Sequence, residues 1–287
     1  MTGLLSAFLP AAMMILMLSL GLGMRPRDIA GAVRAPRALA TGLAVQMIGL
    51  PLAAVVIGHA AGLDPLLTAG LVLVAASPGG VTSNYVTLLA GGVVGLSVAM
   101  TLVTSLAAPL TLPLVLGLAG VEGPAAGGLW RISLGMTAVA LAPLVIGMAL
   151  AGFVPAFAAR VEKLLTPVAR AMFILMVLAT FAQNWGAMGE AFARVGWAVT
   201  LFAIAAPVLA ILAAAAARLN AARSRTIMVE ATMQNVAITI FVASTLLDAP
   251  ALAIPGLIYA VEMNIAALVI IGAARMVETR RGANSVT

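Results

Sequence analysis

The chain has 287 residues, 63% of them hydrophobic and 8% charged, with a formal net charge of +6 and a mean hydropathy of +1.18. A soluble domain of this composition would lack the polar surface to cover itself, so lipid must be the solvent for most of it. The absence of cysteine excludes structural disulfides and thiolate metal sites, and basic residues dispersed without interleaved aromatics argue against nucleic acid despite a pI near 11.3.

Charges and Pro/Gly-containing loops divide the chain into nine expected spans, at about 4–23, 38–60, 66–90, 93–118, 130–153, 165–184, 196–217, 226–247 and 254–274. The first has no basic segment before it and no small-residue cleavage pattern after it, so it is expected to stay in the mature protein as a helix. The second carries a lone amide, Gln46, in an apolar run, and His59 near its end. No Asp or Glu is placed to orient that histidine beside a nucleophile such as Ser83, which argues against an enzyme.

The third span contains SPGGVTSN, residues 77–84, near mid-membrane. Pro78 lacks a backbone donor and Gly79 and Gly80 weaken the helix, so a break is expected there. Backbone freed at that depth is tolerated only against protein or a water-filled cavity. On the fourth span Ser97 and Thr101 lie one turn apart on one face, with Thr104 nearby. Each hydroxyl alone would ordinarily bond its own helix.

The eighth span places Glu230, Thr232, Gln234 and Asn235 in an apolar segment. A carboxylate at that depth needs a partner, and no Lys or Arg lies at comparable depth in any span. A proton or a bound cation is left. Na⁺, a hard ion, suits the nearby hydroxyl, amide and carbonyl oxygens. The two polar spans look like counterparts running in opposite directions, the sign of an inverted-repeat secondary transporter with its site at the midplane. In the ninth span Glu262 is a second intramembrane carboxylate, read as a proton site, a substrate contact or a carboxylate facing a crevice.

Thirteen of the fifteen Lys and Arg residues fall in one set of loops or at the C-terminus, and only Arg131 and Arg194 on the other side. The positive-inside rule therefore expects the N-terminus outside and the C-terminus in the cytoplasm, with Trp130, Trp185 and Trp197 at outer span ends.

The segments GLGMRPRDI (21–29), SPGGVTSN (77–84), LSVAMT (96–101) and VEATMQN (229–235), with Asn264 in the last span, resemble the bile acid:sodium symporter family, solute carrier family 10. The resemblance implies an all-α polytopic membrane protein of the bacterial inner membrane, with two broken crossing helices. It implies a panel domain of about 1–24 and 130–184 and a core domain of about 38–118 and 196–275. This chain looks like the family's nine-helix form. The resemblance also implies two Na⁺ ions. The first would be held by Ser83, Asn84, Ser97, Thr101 and Glu230, and the second by Gln46, Glu230, Gln234 and the carbonyls of Ala231 and Met233. Substrate contacts would lie at Thr82, Asn235 and Asn264, with Val81 where some bacterial members carry Thr and Glu262 as a departure. The expected activity is Na⁺-coupled symport of a small organic anion, pantoate-like, a 2-oxo acid or bile-acid-like, by alternating access. The alternative is a proton-coupled carrier or exporter of organic acids on the same fold.

Overall fold

The structure is a computed structural model that describes residues 2–24, 35–80, 82–120 and 128–284. These residues form ten helices, α1 Thr2–Gly23, α2 Pro36–Ala60, α3 Pro65–Ala76, α4 Ser83–Leu89, α5 Val94–Leu118, α6 128–153, α7 Pro155–Ala216, α8 Ala221–Thr232, α9 Val236–Leu246 and α10 Ile254–Asn284, with a 3-10 turn at Pro250–Ala253 leading into the last. Among the described residues six stretches are long and apolar enough to cross a membrane. Three apolar helices are shorter, Ala7–Gly23, Pro65–Ala76 and Val236–Leu246. The outward stripe of Leu110, Leu114 and Leu118 on α5 is 60–81% exposed, a face that only lipid can cover at low cost.

Local chemistry sets most boundaries. Asp64 accepts a bond from the Leu67 amide at 2.9 Å and Pro65 follows it at the first helical position, which starts α3. Asn220 caps α8 in the same way through the Arg223 amide at 3.0 Å. Helix α3 stops at Ser77, whose extended backbone (φ −65°, ψ 146°) is the conformation that a following proline favours.

Helix α7 differs from expectation. The sequence predicts two spans separated by a loop at about 185–195, preceded by a polar link at about 154–164. Instead helical backbone runs continuously from Pro155 to Ala216, and only Val154 separates it from α6. Sixty-two helical residues would measure about 93 Å if straight, roughly three times the hydrocarbon thickness. Two apolar stretches within α7, Pro155–Gly186 and Val195–Ala216, are each long enough to cross. The intervening GAMGEAFAR is mostly Ala, Met, Glu, Phe and Arg, so no strong breaker interrupts the hydrogen-bond ladder.

Helix α1 lies in close contact with α6: a methyl group added to Gly21 would overlap the Leu144 carbonyl. Fully buried apolar side chains come from most of the helices, among them Met13 of α1, Leu50 of α2, Leu71 of α3, Met100 of α5, Phe202 of α7, Phe241 of α9 and Tyr259 of α10. Among the described residues π-helical turns occur at Val45–Gly49 in α2, Thr137–Leu141 in α6 and Val242–Leu246 in α9.

Candidate ion-binding site where two interrupted helices meet

The expected break in the third apolar span includes 77–80 and 82, between α3 and α4, and that in the eighth occupies 233–235, between α8 and α9. Their backbones bond to each other. Gly79 and Gln234 form an antiparallel bridge, with the Gly80 amide donating to the Met233 carbonyl at 2.6 Å and the Asn235 amide donating to the Pro78 carbonyl at 2.9 Å. Helix ends leave backbone groups unpaired, and an unpaired group in hydrocarbon costs several kcal/mol. Pairing one break with the other satisfies two of them at each side. The Gly79 amide lies 3.4 Å from the Thr104 hydroxyl of α5, and Tyr259 of α10 donates to the Thr232 carbonyl at 2.8 Å.

The second break has no proline. Asn235 initiates α9 instead, accepting from the Ile238 amide at 3.3 Å. Its Nδ2 is buried without a partner.

Glu230, near the end of α8, is fully buried. Its Oε1 accepts a short hydrogen bond from Ser97 and its Oε2 one from Thr101 at 3.0 Å. Thr87 of α4 donates to Ser97 at 3.2 Å, and Ser83 lies 3.4 Å from Thr101 while donating to the Gly80 carbonyl at 2.8 Å. Among the described residues no basic side chain shares in these contacts. Gly79 is required by proximity: a Cβ there would collide with Glu230 Oε2 and sit 2.9 Å from the Thr101 hydroxyl.

Gln46 is buried in the π-turn of α2, with its Nε2 3.4 Å from Gln234 Oε1. Gln46 Oε1 and Asn84 Oδ1 are both buried acceptors without partners. Gln234 also donates to the Ala231 carbonyl at 2.8 Å, and the Met233 carbonyl takes the Gly80 amide. Each of those carbonyls keeps a second lone pair. The donors are thus one carboxylate, hydroxyls, amide oxygens and backbone carbonyls. Among the described residues there is no cluster of three His, Cys, Asp or Glu, and an all-oxygen set suits a hard cation.

The structure therefore brings together Ser83, Ser97, Thr101 and Glu230, and separately Gln46, Gln234 and Ala231. It does not bring in every expected residue. Thr82 precedes α4 with an exposed side chain that makes no capping bond. Asn264 is exposed and bonds its own helix at the Ala260 carbonyl, 2.6 Å away. Val81 lies outside the described residues. Glu262 pairs with Thr200 of α7 at 2.7 Å, apart from the Glu230 cluster. Sequence reasoning missed Thr87, Thr200 and Tyr259, whose partners lie on other elements and leave no local signal.

An all-helical polytopic membrane protein with a buried, oxygen-lined carboxylate at the contact of two interrupted helices is the class that this geometry defines. Residues 10–191, well over half of the chain, match the sodium bile acid symporter family. The chain belongs to that family. It is 28% identical over 258 residues to the probable sodium/metabolite cotransporter BASS1, chloroplastic, of Arabidopsis thaliana, covering 90% of this chain and 64% of that protein. The BASS1 protein of Oryza sativa subsp. japonica is 29% identical, with 83% of this chain and 59% of the relative covered. The uncharacterized sodium-dependent transporter YocS of Bacillus subtilis is 33% identical over 112 residues, 39% of this chain and 35% of the relative. The chain thus spans just under two thirds of the length of the plant relatives it matches. The family and these relatives are named as symporters, cotransporters or transporters, none as an enzyme.

Proposed function

We propose that this protein is a Na⁺-coupled symporter of a small organic anion that works by alternating access. The observation that carries the reading is Glu230, fully buried and held by the hydroxyls of Ser97 and Thr101 where two interrupted helices meet. A carboxylate so placed calls for a cation. One Na⁺ is taken by Ser83, Asn84, Ser97, Thr101 and Glu230. A second is taken by Gln46, Glu230, Gln234 and the carbonyls of Ala231 and Met233. The names of the relatives, sodium/metabolite cotransporter and sodium-dependent transporter, support the choice of Na⁺ over a proton.

In this reading helix α7 bends back between its two apolar stretches so that each crosses separately, and the three shorter apolar helices complete nine crossings, with the N-terminus outside and the C-terminus in the cytoplasm of a bacterial inner membrane. The halves form an inverted repeat, and the two interrupted helices cross in a core domain that moves against a panel of 1–24 and 130–184. Na⁺ binding neutralises Glu230 and fixes the crossing. The anion then binds where helices α4 and α9 begin, with Thr82 at the first and the unpartnered Asn235 Nδ2 as a donor at the second. Asn264 meets it only once the domains close. Two Na⁺ with one monoanion carry net positive charge inward, which gains about 2.3 kcal/mol per charge per 100 mV, so uptake is electrogenic.

The test is uptake of candidate anions, hydroxy acids, 2-oxo acids and bile-acid-like steroids, into proteoliposomes under opposed Na⁺ and pH gradients. Accumulation that follows Na⁺ and vanishes in Glu230→Gln supports the assignment. Accumulation that follows the pH gradient without Na⁺, or Na⁺ dependence unchanged in the variant, refutes it.

A further inference from the structure

Glu262 lies on α10 about 12 Å along the axis from Ile254, with an environment unlike that of Glu230. Its Oε1 faces the Thr200 hydroxyl at 2.7 Å, but that hydroxyl also lies 3.0 Å from the Gly196 carbonyl of its own helix. A threonine has one proton to give, so this carboxylate shares with a competing acceptor its one side-chain donor among the described residues. Its other oxygen, Oε2, is buried with no partner. Rotation about the terminal torsion, which has a broad two-fold profile, exchanges the two oxygens.

Glu262 borders two cavities. One, of about 580 Å³, is walled by Phe181, Trp185 and Phe192 of α7 and by Leu257 and Val261 of α10, with the carboxylate as its acidic group. Phe181 and Trp185 stand with ring centroids 6.2 Å apart. The other, of about 870 Å³, extends away along Ile204, Val208 and Val269, with Arg225, which bonds the Gly91 carbonyl, on its wall. The first volume lies within the range of small-molecule sites, about 300–1,000 Å³. Three aromatic rings and one under-satisfied carboxylate around an apolar space are complementary to an organic cation, because ring faces and carboxylate both attract positive charge. Na⁺ fits poorly there: one carboxylate and one hydroxyl are too few oxygens, and the remaining wall is hydrocarbon. An anionic substrate would be repelled.

We propose that the aromatic cavity between α7 and α10 is a binding site for an organic ammonium ion with an apolar body, its charged head held by Glu262. Glu262 shares no hydrogen-bond partner with Glu230, and the proposal does not depend on the Na⁺ assignment. The occupant is a free ammonium compound, whose apolar body suits the aromatic and aliphatic walls; the ethanolamine head of a bilayer lipid is the outcome that the test separates from it.

The test uses the full chain in phosphatidylcholine nanodiscs, with Trp130→Phe and Trp197→Phe so that Trp185 reports alone. Phenethylammonium is titrated against 3-phenyl-1-propanol, a neutral analogue. Saturable ammonium binding is expected, weakened at least tenfold by Glu262→Gln and unchanged by Glu230→Gln, with the alcohol weak and indifferent to either substitution. Phe181→Ala and Phe192→Ala, which leave every polar contact in place, provide a second measurement should Glu262→Gln fail to fold. Each is expected to weaken the ammonium several-fold more than the alcohol. Equal affinity for ammonium and alcohol, or undiminished ammonium binding in Glu262→Gln, overturns the proposal. Displacement of the ammonium by added phosphatidylethanolamine also overturns it, since a lipid head would then be the occupant.

Discussion

Two carboxylates lie within the apolar part of this molecule, and their surroundings are opposite. Glu230 is enclosed by Ser97 and Thr101, with Ser83 and Thr87 supporting those hydroxyls, and no part of it is exposed. Glu262 has one hydroxyl, one empty oxygen and aromatic and aliphatic walls. Burial alone does not say what a membrane carboxylate binds. The second layer of groups decides: oxygens around Glu230 favour a bare hard ion, whereas rings and hydrocarbon around Glu262 favour a large soft-surfaced one.

The largest expected effect tests the enclosed site. Glu230→Gln removes two charge-assisted hydrogen bonds worth about 1.5–3 kcal/mol each as well as the attraction for the ion, so Na⁺ affinity falls by at least about a hundredfold. Na⁺ titration of uptake, or of the thermal stabilisation that Na⁺ gives and K⁺ does not, measures it. An unchanged half-saturation would break the contrast between the two carboxylates.

Gly79→Ala comes next. Its methyl group would overlap Glu230 Oε2, and overpacking of this kind costs about 1–3 kcal/mol. Na⁺ affinity should fall by about five- to a hundredfold, while Gly152→Ala, which meets nothing within 4 Å, leaves it unchanged. Tyr259→Phe is milder. It removes the bond to the Thr232 carbonyl, worth about 1 kcal/mol, and lowers the melting temperature by about 2–4 °C. Glu262→Gln should have the smallest consequence for symport, leaving the Na⁺ half-saturation of anion uptake in place. A large shift there would join the two regions into one site.

Much of the Glu230 cluster was legible in the residues because its parts carry local signals. Pro78 and two glycines announce a break, Ser97 and Thr101 share a helix face, and a lone carboxylate among apolar residues demands explanation. The second break was harder: Met233, Gln234 and Asn235 include no strong breaker, and what stops the helix is a backbone partner 155 residues away in sequence. The pairings Thr200–Glu262 and Tyr259–Thr232 are long-range contacts of the same kind. Continuity of α7 was missed because Trp185 and the charges of 160–163 read as span ends, whereas the residues there have ordinary helix propensity. Asn264 has no such local signal: only the resemblance points to it, and in the structure it is exposed and bonds the Ala260 carbonyl of its own helix.

The backbone tie between Gly79 and Gln234 bears on how the chain is made. The Pro78 carbonyl and Gly80 amide leave the ribosome long before Met233 and Asn235 exist to receive them. At about 5–20 residues per second the wait is on the order of ten seconds. During that interval the nascent segment must stay near water, a chaperone or the insertion machinery, so its final seating in the bilayer is a late event that awaits synthesis of the second half.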